Sequence, residues 1–360
     1  MEAAQLATTS AMTENWSSNF EAYPIDYDGL DSMNICHLEL PFAYIFIPIL
    51  YFLSFLIGFF GNLFVILLMA RKQGSKRLVD TFVLNLAIAD LIFVFTLPFW
   101  ALSAALDGWL FSEGLCKLSS YTISVNRCSS ILFLTGMSME RFLVMTKRWD
   151  AKSIGTRKNA ITSCGCIWAI SLLLGIPSLV YRNLTFKGDS KYSCQGDPPA
   201  TFSVVMLSLT FLLPLGVILF CYCSIFSKLR SHARLGKRRN NALKIIFTII
   251  GAFVCSWLPF NTFKMIFTMT QNIELSCQAL RTLFGGLTIT ACLAFVNSCI
   301  NPVIYVFMDQ HFRRQVLMYF PGFCKAKGNM QASSMSFSST ESSVLFGSRK
   351  KLPPATSVQI

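Results

Sequence analysis

Seven apolar runs, at residues 42–70, 78–104, 116–139, 160–181, 201–227, 242–270 and 279–307, follow one another with only short polar breaks. Each is long enough to cross a hydrocarbon core of about 30 Å as a helix. Inside lipid a backbone must satisfy its own polar groups, so runs of this length become helices. Only 14% of the 360 residues are charged, against about a quarter in a soluble chain of this size. The pattern predicts an all-α membrane protein, a seven-transmembrane helix bundle over 41–308. Pro48, Pro98, Pro177, Pro214, Pro259 and Pro302 lie inside or near the ends of the runs, where membrane helices tolerate kinks well.

Orientation follows from lysine and arginine. Residues 1–70 hold neither, whereas Arg71, Lys72, Lys76 and Arg77 fill the first break. Lys147, Arg148, Lys152, Arg157 and Lys158 fill the third, and Lys228, Arg230, Arg234, Lys237, Arg238 and Arg239 the fifth. Odd breaks are therefore expected in the cytoplasm, with the N-terminus outside the plasma membrane and the C-terminus inside. The net charge of +13 then faces anionic inner-leaflet lipid, not nucleic acid. No basic, apolar signal peptide opens the chain, so the first span is expected to act as the uncleaved targeting signal. Two glycosylation sequons, at Asn15 and Asn183, fall on expected outer segments.

The expected organisation is a flexible acidic arm over 1–40, an interfacial helix over 309–321, and a disordered cytoplasmic tail over 322–360. In the arm, Tyr27 stands between Asp26 and Asp28, a setting suited to tyrosine sulfation and to steering a basic partner. Cys324 is a palmitoylation candidate, and the serines of 333–343 form a candidate phosphorylation cluster read by a basic partner. Four of the thirteen cysteines, Cys36, Cys116, Cys194 and Cys277, fall outside, where oxidation is allowed. Four cysteines permit three pairings; Cys116–Cys194 with Cys36–Cys277 is the expected one.

Polar residues inside the spans carry the chemistry. Asp90 is costly in lipid and is a functional candidate. Asn126, Ser130, Asn297 and Asn301 are its candidate companions, an oxygen-rich set suited to a small hard cation such as Na+ or to a water cluster. Along 116–142 a cysteine marks one end, Glu140-Arg141 the other, and Arg127 the middle. Cys116 and Arg141 would lie about 38 Å apart on one helix, enough to join the two membrane surfaces. Ser120, Ser124 and Arg127 share a helical face. Arg127 is too deep to snorkel, so it either pairs with Asp90 or faces a cavity awaiting a ligand anion. The three histidines are scattered and suggest no nucleophile–base pair, which argues against an enzyme. Repeated halves or a ring of pore charges, as in transporters and channels, are not evident.

Taken in order, Gly61-Asn62, Leu86-Ala-Ile-Ala-Asp90, Cys116, Glu140-Arg141-Phe142, Trp168, Pro214, Tyr222, Trp257-Leu-Pro259 and Asn301-Pro-Val-Ile-Tyr305 resemble the rhodopsin-like (class A) G-protein-coupled receptors over about residues 36–325. Thr96-Leu-Pro98, Trp100, the second outer cysteine pair and the acidic tyrosine-bearing arm resemble the chemokine-receptor branch. The resemblance implies a receptor for an extracellular peptide or chemokine-like protein. Its implied ligand contacts are Trp100, Ser124, Arg127, Lys264 and Leu287, with Tyr27 meeting the ligand first. Glu140, Arg141, Tyr222, Trp257, Pro259, Pro302 and Tyr305 would form the activation switch. The implied partners are a heterotrimeric G protein of the inhibitory (Gi/o) class, with arrestin and receptor kinases at the serine-rich tail.

Several positions depart from the branch. Phe142 stands where relatives have tyrosine, Ala291 where many have a ligand-binding glutamate, and Arg239 where some have an acid at the base of the sixth span. The last implies a missing lock to Arg141 and appreciable basal activity. Ile123 argues against a monoamine ligand and Phe295 against retinal. The altered Glu-Arg-Phe box also allows a decoy or scavenger receptor that binds ligand without activating a G protein.

Overall fold

A computed structural model describes residues 42–71, 78–145, 157–188, 191–196, 198–231, 237–270, 273 and 275–308. The expected arm, interfacial helix and tail lie outside these residues. Helix α1 spans Ala43–Arg71, α2 Leu78–Val94, α3 Leu97–Ala105, α4 Glu113–Met145 and α5 Arg157–Tyr181. A two-stranded hairpin follows, β1 (Asn183–Gly188) and β2 (Lys191–Gln195). Helix α6 (Ala200–Leu207), a π-helical turn (Ser208–Leu212), α7 (Leu213–Ser231), α8 (Lys237–Thr270) and α9 (Cys277–Met308) complete the described chain. Among the described residues seven stretches are long and apolar enough to cross a membrane, matching the seven runs.

The second run is not one smooth helix. Thr96 Oγ1 donates to the Phe93 carbonyl at 2.8 Å, and Pro98 occupies the first turn of α3. Proline removes the backbone donor that would have met the Val94 carbonyl, and Thr96 turns both its amide and its hydroxyl onto the Phe93 carbonyl, so the chain bends there, as Thr96-Leu-Pro98 suggested. Two features were missed. The fifth run carries a π turn just before Pro214, where the ladder slips by one residue. The outer loop forms an antiparallel hairpin with Leu184 opposite Cys194.

Burial identifies the centre of the bundle. On α4, Asn126, Cys128, Ser129, Ser130 and Ile131 are all buried, so the middle of this helix is enclosed by its neighbours. On α1, α7 and α9, by contrast, Phe60, Phe226 and Phe307 are largely exposed. Contiguous apolar surface of that kind is unusual on a soluble monomer and suits contact with lipid. The core beneath it packs Phe82, Phe133, Phe211, Phe253 and Trp257.

Glycines set the closest helix contacts. A Cβ at Gly286 would fall 2.2 Å from the Phe263 ring, whereas one at Gly165 meets nothing within 4 Å. Gly286→Ala is expected to cost about 1–3 kcal/mol through overpacking between α8 and α9, and Gly165→Ala very little. Thermal unfolding in detergent checks this; equal midpoints for the two variants would contradict it.

Candidate functional site

The chain builds three polar layers along α4. The first lies at the hairpin end. Disulfide Cys116–Cys194 joins the start of α4 to β2, with Cα atoms 5.6 Å apart. The hairpin is held further by the Trp109 amide donating to the Tyr192 carbonyl at 2.6 Å, by Arg182 Nη1 donating to the Cys194 carbonyl at 3.1 Å and by Lys191–Asp107 at 3.4 Å. Trp100 and Trp109 pack beside the bridge, ring centroids 5.0 Å apart.

Beneath the hairpin is a cavity of about 770 Å³, within the range of ligand sites. Trp100, Ser124, Arg127, Lys264 and Leu287 all line it. Arg127 stands on the cavity wall with its guanidinium carbon 5.8 Å from the centroid of the Trp257 ring, within reach of a cation–π interaction. Ser120 is in the wall as well, and Ser124 hydrogen-bonds Ser178 of α5.

The second layer is at mid-bundle. Asp90 is fully buried. Its Oδ1 accepts from Asn126 Nδ2 at 3.0 Å and its Oδ2 from Asn301 Nδ2 at 2.8 Å. Ser298 Oγ donates to Asn126 Oδ1 at 3.3 Å. Ser130 Oγ and Asn297 Oδ1 are buried without a hydrogen-bond partner among the described residues. Buried polar atoms are rarely left so. Ser130 lies one helical turn from Asn126, and Asn297 adjoins Ser298, so these orphan oxygens extend the Asp90 network in a way that fits a hard cation or water.

The third layer is at the far end of α4. Glu140 Oε2 lies 3.5 Å from Arg141 Nε, and both side chains are largely buried. Tyr222 of α7 packs edge-on against Phe247 of α8, centroids 5.7 Å apart. Tyr305 is buried. Between this layer and the cavity, Trp257 sits between Phe253 and Phe260, two residues before Pro259 inside α8. Pro302 of α9 is packed so closely on α1 that a Cβ at Gly61 would come within 2.8 Å of it.

The family model for "7 transmembrane receptor (rhodopsin family)" matches residues 61–305. The chain belongs to the rhodopsin family of seven-transmembrane receptors. "Probable G-protein coupled receptor 25" of Mus musculus is 40% identical, covering 96% of this chain and 98% of the relative. G-protein coupled receptor 15 of Mus musculus is 35% identical over 81% of this chain and 85% of the relative. Apelin receptor B of Danio rerio is 34% identical over 90% and 96%. The receptor is therefore a multi-pass membrane protein of a non-enzymatic, ligand- and G-protein-binding family.

Some expected receptor sites fall outside the described residues: Tyr27, Asn15, Cys36 and Cys324. Cys277 is disulfide-bonded, while Cys36 lies beyond them. Asn183 opens β1 and is exposed. Sequence reading passed over Asn85, which accepts from Trp168 Nε1 at 2.9 Å, and Ser298 next to Asn297. It also passed over Asn261, buried in the cavity wall. A period of four would have found Asn261, one turn beyond Trp257. The hairpin was legible in its alternation, Leu184-Thr-Phe against Tyr192-Ser-Cys194.

Proposed function

We propose that this receptor sits in the plasma membrane with its N-terminus outside, binds an extracellular peptide or chemokine-like protein in the cavity under the hairpin, and activates a heterotrimeric G protein of the inhibitory class. The carrying observation is the cavity itself: Arg127 of α4 and Lys264 of α8 both line it, and so does Trp257. A ligand end, such as a terminal carboxylate, can therefore meet a half-buried cation and the movable indole together. Binding shifts a population between inactive and active helix arrangements. Displacing Trp257 swings α8 about Pro259, Arg141 leaves Glu140, and a pocket edged by Tyr222 and Tyr305 admits the G protein. Pro302 offers α9 a second bend. Arrestin and receptor kinases act at the serine-rich tail.

The test has two arms. An N-terminal epitope should be labelled on intact cells, and a basic secreted peptide should raise guanine-nucleotide exchange by the inhibitory G protein. Labelling only after permeabilisation contradicts the orientation. Ligand uptake with no exchange would support the decoy reading instead, which Phe142 in the Glu-Arg-Phe box permits.

The orphan oxygens of Ser130 and Asn297, together with the buried Asp90 network, also support Na+ as an allosteric ion held by Asp90, Asn126, Ser130, Asn297 and Asn301. Sodium chloride is expected to raise the unfolding midpoint above that in choline chloride, and Asp90→Asn to erase the difference. An equal sodium effect in the variant would contradict the assignment.

A further inference from the structure

Resting on the reading of the cavity as the ligand site, we infer that its floor is an anion subsite built from Arg127 of α4 with Asn261 and Trp257 of α8, and that Asn261 is a specificity-determining residue. Three observations meet here. Asn261 and Trp257 are more than nine-tenths buried. Asn261 Nδ2 and Trp257 Nε1 have no hydrogen-bond partner among the described residues. Both side chains line the same cavity as Arg127, whose guanidinium carbon is 5.8 Å from the Trp257 ring centroid. Asn261 and Trp257 are four residues apart, so they share one helical face.

An amide nitrogen and an indole nitrogen can only donate. Leaving such groups buried and unmet is costly, and a ligand atom that accepts from them recovers that cost. With a guanidinium beside them, the complementary group is a compact monoanion, a carboxylate or a halide. Among the described lining residues the single acid is Asp107, and it pairs with Lys191 at 3.4 Å under the hairpin. No lining carboxylate near the floor therefore competes. A neutral carbonyl could accept from the two N–H donors but would bring no charge to the guanidinium, and an apolar ligand would leave both donors unmet. A bound anion would also tie α4 to α8 across the indole that stands two residues before Pro259.

The experiment uses the full chain purified in detergent and free of sodium, with potassium acetate as probe and ionic strength held by potassium sulfate. Acetate should raise the unfolding midpoint saturably, as binding to the folded state requires, whereas uncharged acetamide should not. Trp257→Phe, which keeps the ring and removes the donor, and Asn261→Leu should each weaken acetate at least about tenfold. Arg127→Gln should abolish the effect. A chloride arm distinguishes the sources: matching stabilisation identifies any compact monoanion as the occupant, and none identifies a carboxylate. No saturable acetate effect beyond acetamide, or an undiminished one in Arg127→Gln and Trp257→Phe, would overturn the subsite. Because no G protein takes part, failure here leaves the signalling reading standing. Silent nucleotide exchange with intact acetate binding would do the reverse.

Discussion

Serine at both Cys116 and Cys194 is expected to remove up to about 4.5 kcal/mol of stability, by the chain-entropy relation for a bridge spanning 78 residues. Helices that stay inserted in lipid already restrict the unfolded chain, so the measured loss should fall nearer about 2–4 kcal/mol. The bridge carries more than entropy. It is fully buried against Trp109, and β2 has few other ties to α4. Without it the hairpin loses its anchor over the cavity. The midpoint of thermal unfolding should drop by many degrees in the double variant, and ligand capture should weaken with it. Reductant is a poor substitute, because Cys277 is also disulfide-bonded. A double variant as stable as the parent would show that the hairpin is held by its hydrogen bonds alone.

Arg141→Ala is expected to lower receptor-catalysed nucleotide exchange by roughly 10- to 100-fold, the equivalent of one charge-assisted hydrogen bond of about 1.5–3 kcal/mol lost from the complex. Some stability should be lost as well. Arg141 lies 3.5 Å from its neighbour Glu140, and both side chains are largely buried. Removing one member of a buried pair leaves the other charge less compensated, which destabilises the fold, so the unfolding midpoint is read beside exchange. Glu140→Gln should move exchange the other way, raising the unliganded rate, since it removes the group that Arg141 must leave. Exchange unchanged in Arg141→Ala, with normal surface expression, would contradict the role given to this end of α4.

What could be read in advance followed from how local each signal is. The seven spans, the Thr96–Pro98 bend and the four-residue spacing of Asn126 and Ser130 are properties of short windows, and the structure has them at the expected places. The pairing of Asp90 with Asn126 and Asn301 is different, because it depends on which faces three helices turn toward each other. Sequence offered the oxygen-rich set and left Arg127 with two roles; packing placed Arg127 on the cavity wall and set both Asp90 oxygens against amides. Asn261 escaped notice because an asparagine in an apolar run has no meaning until a cavity is seen beside it. The π turn before Pro214 was invisible for a related reason: a slipped ladder leaves no compositional trace.

The relay from cavity to G protein passes through Trp257, and one measurement reaches it most directly. Receptor reconstituted in lipid nanodiscs with purified inhibitory G protein should catalyse nucleotide exchange, and that rate should fall to the no-receptor background once Trp257 and Arg141 are both replaced by alanine. Exchange persisting at the parent rate in that double variant would contradict transmission along α4 and α8.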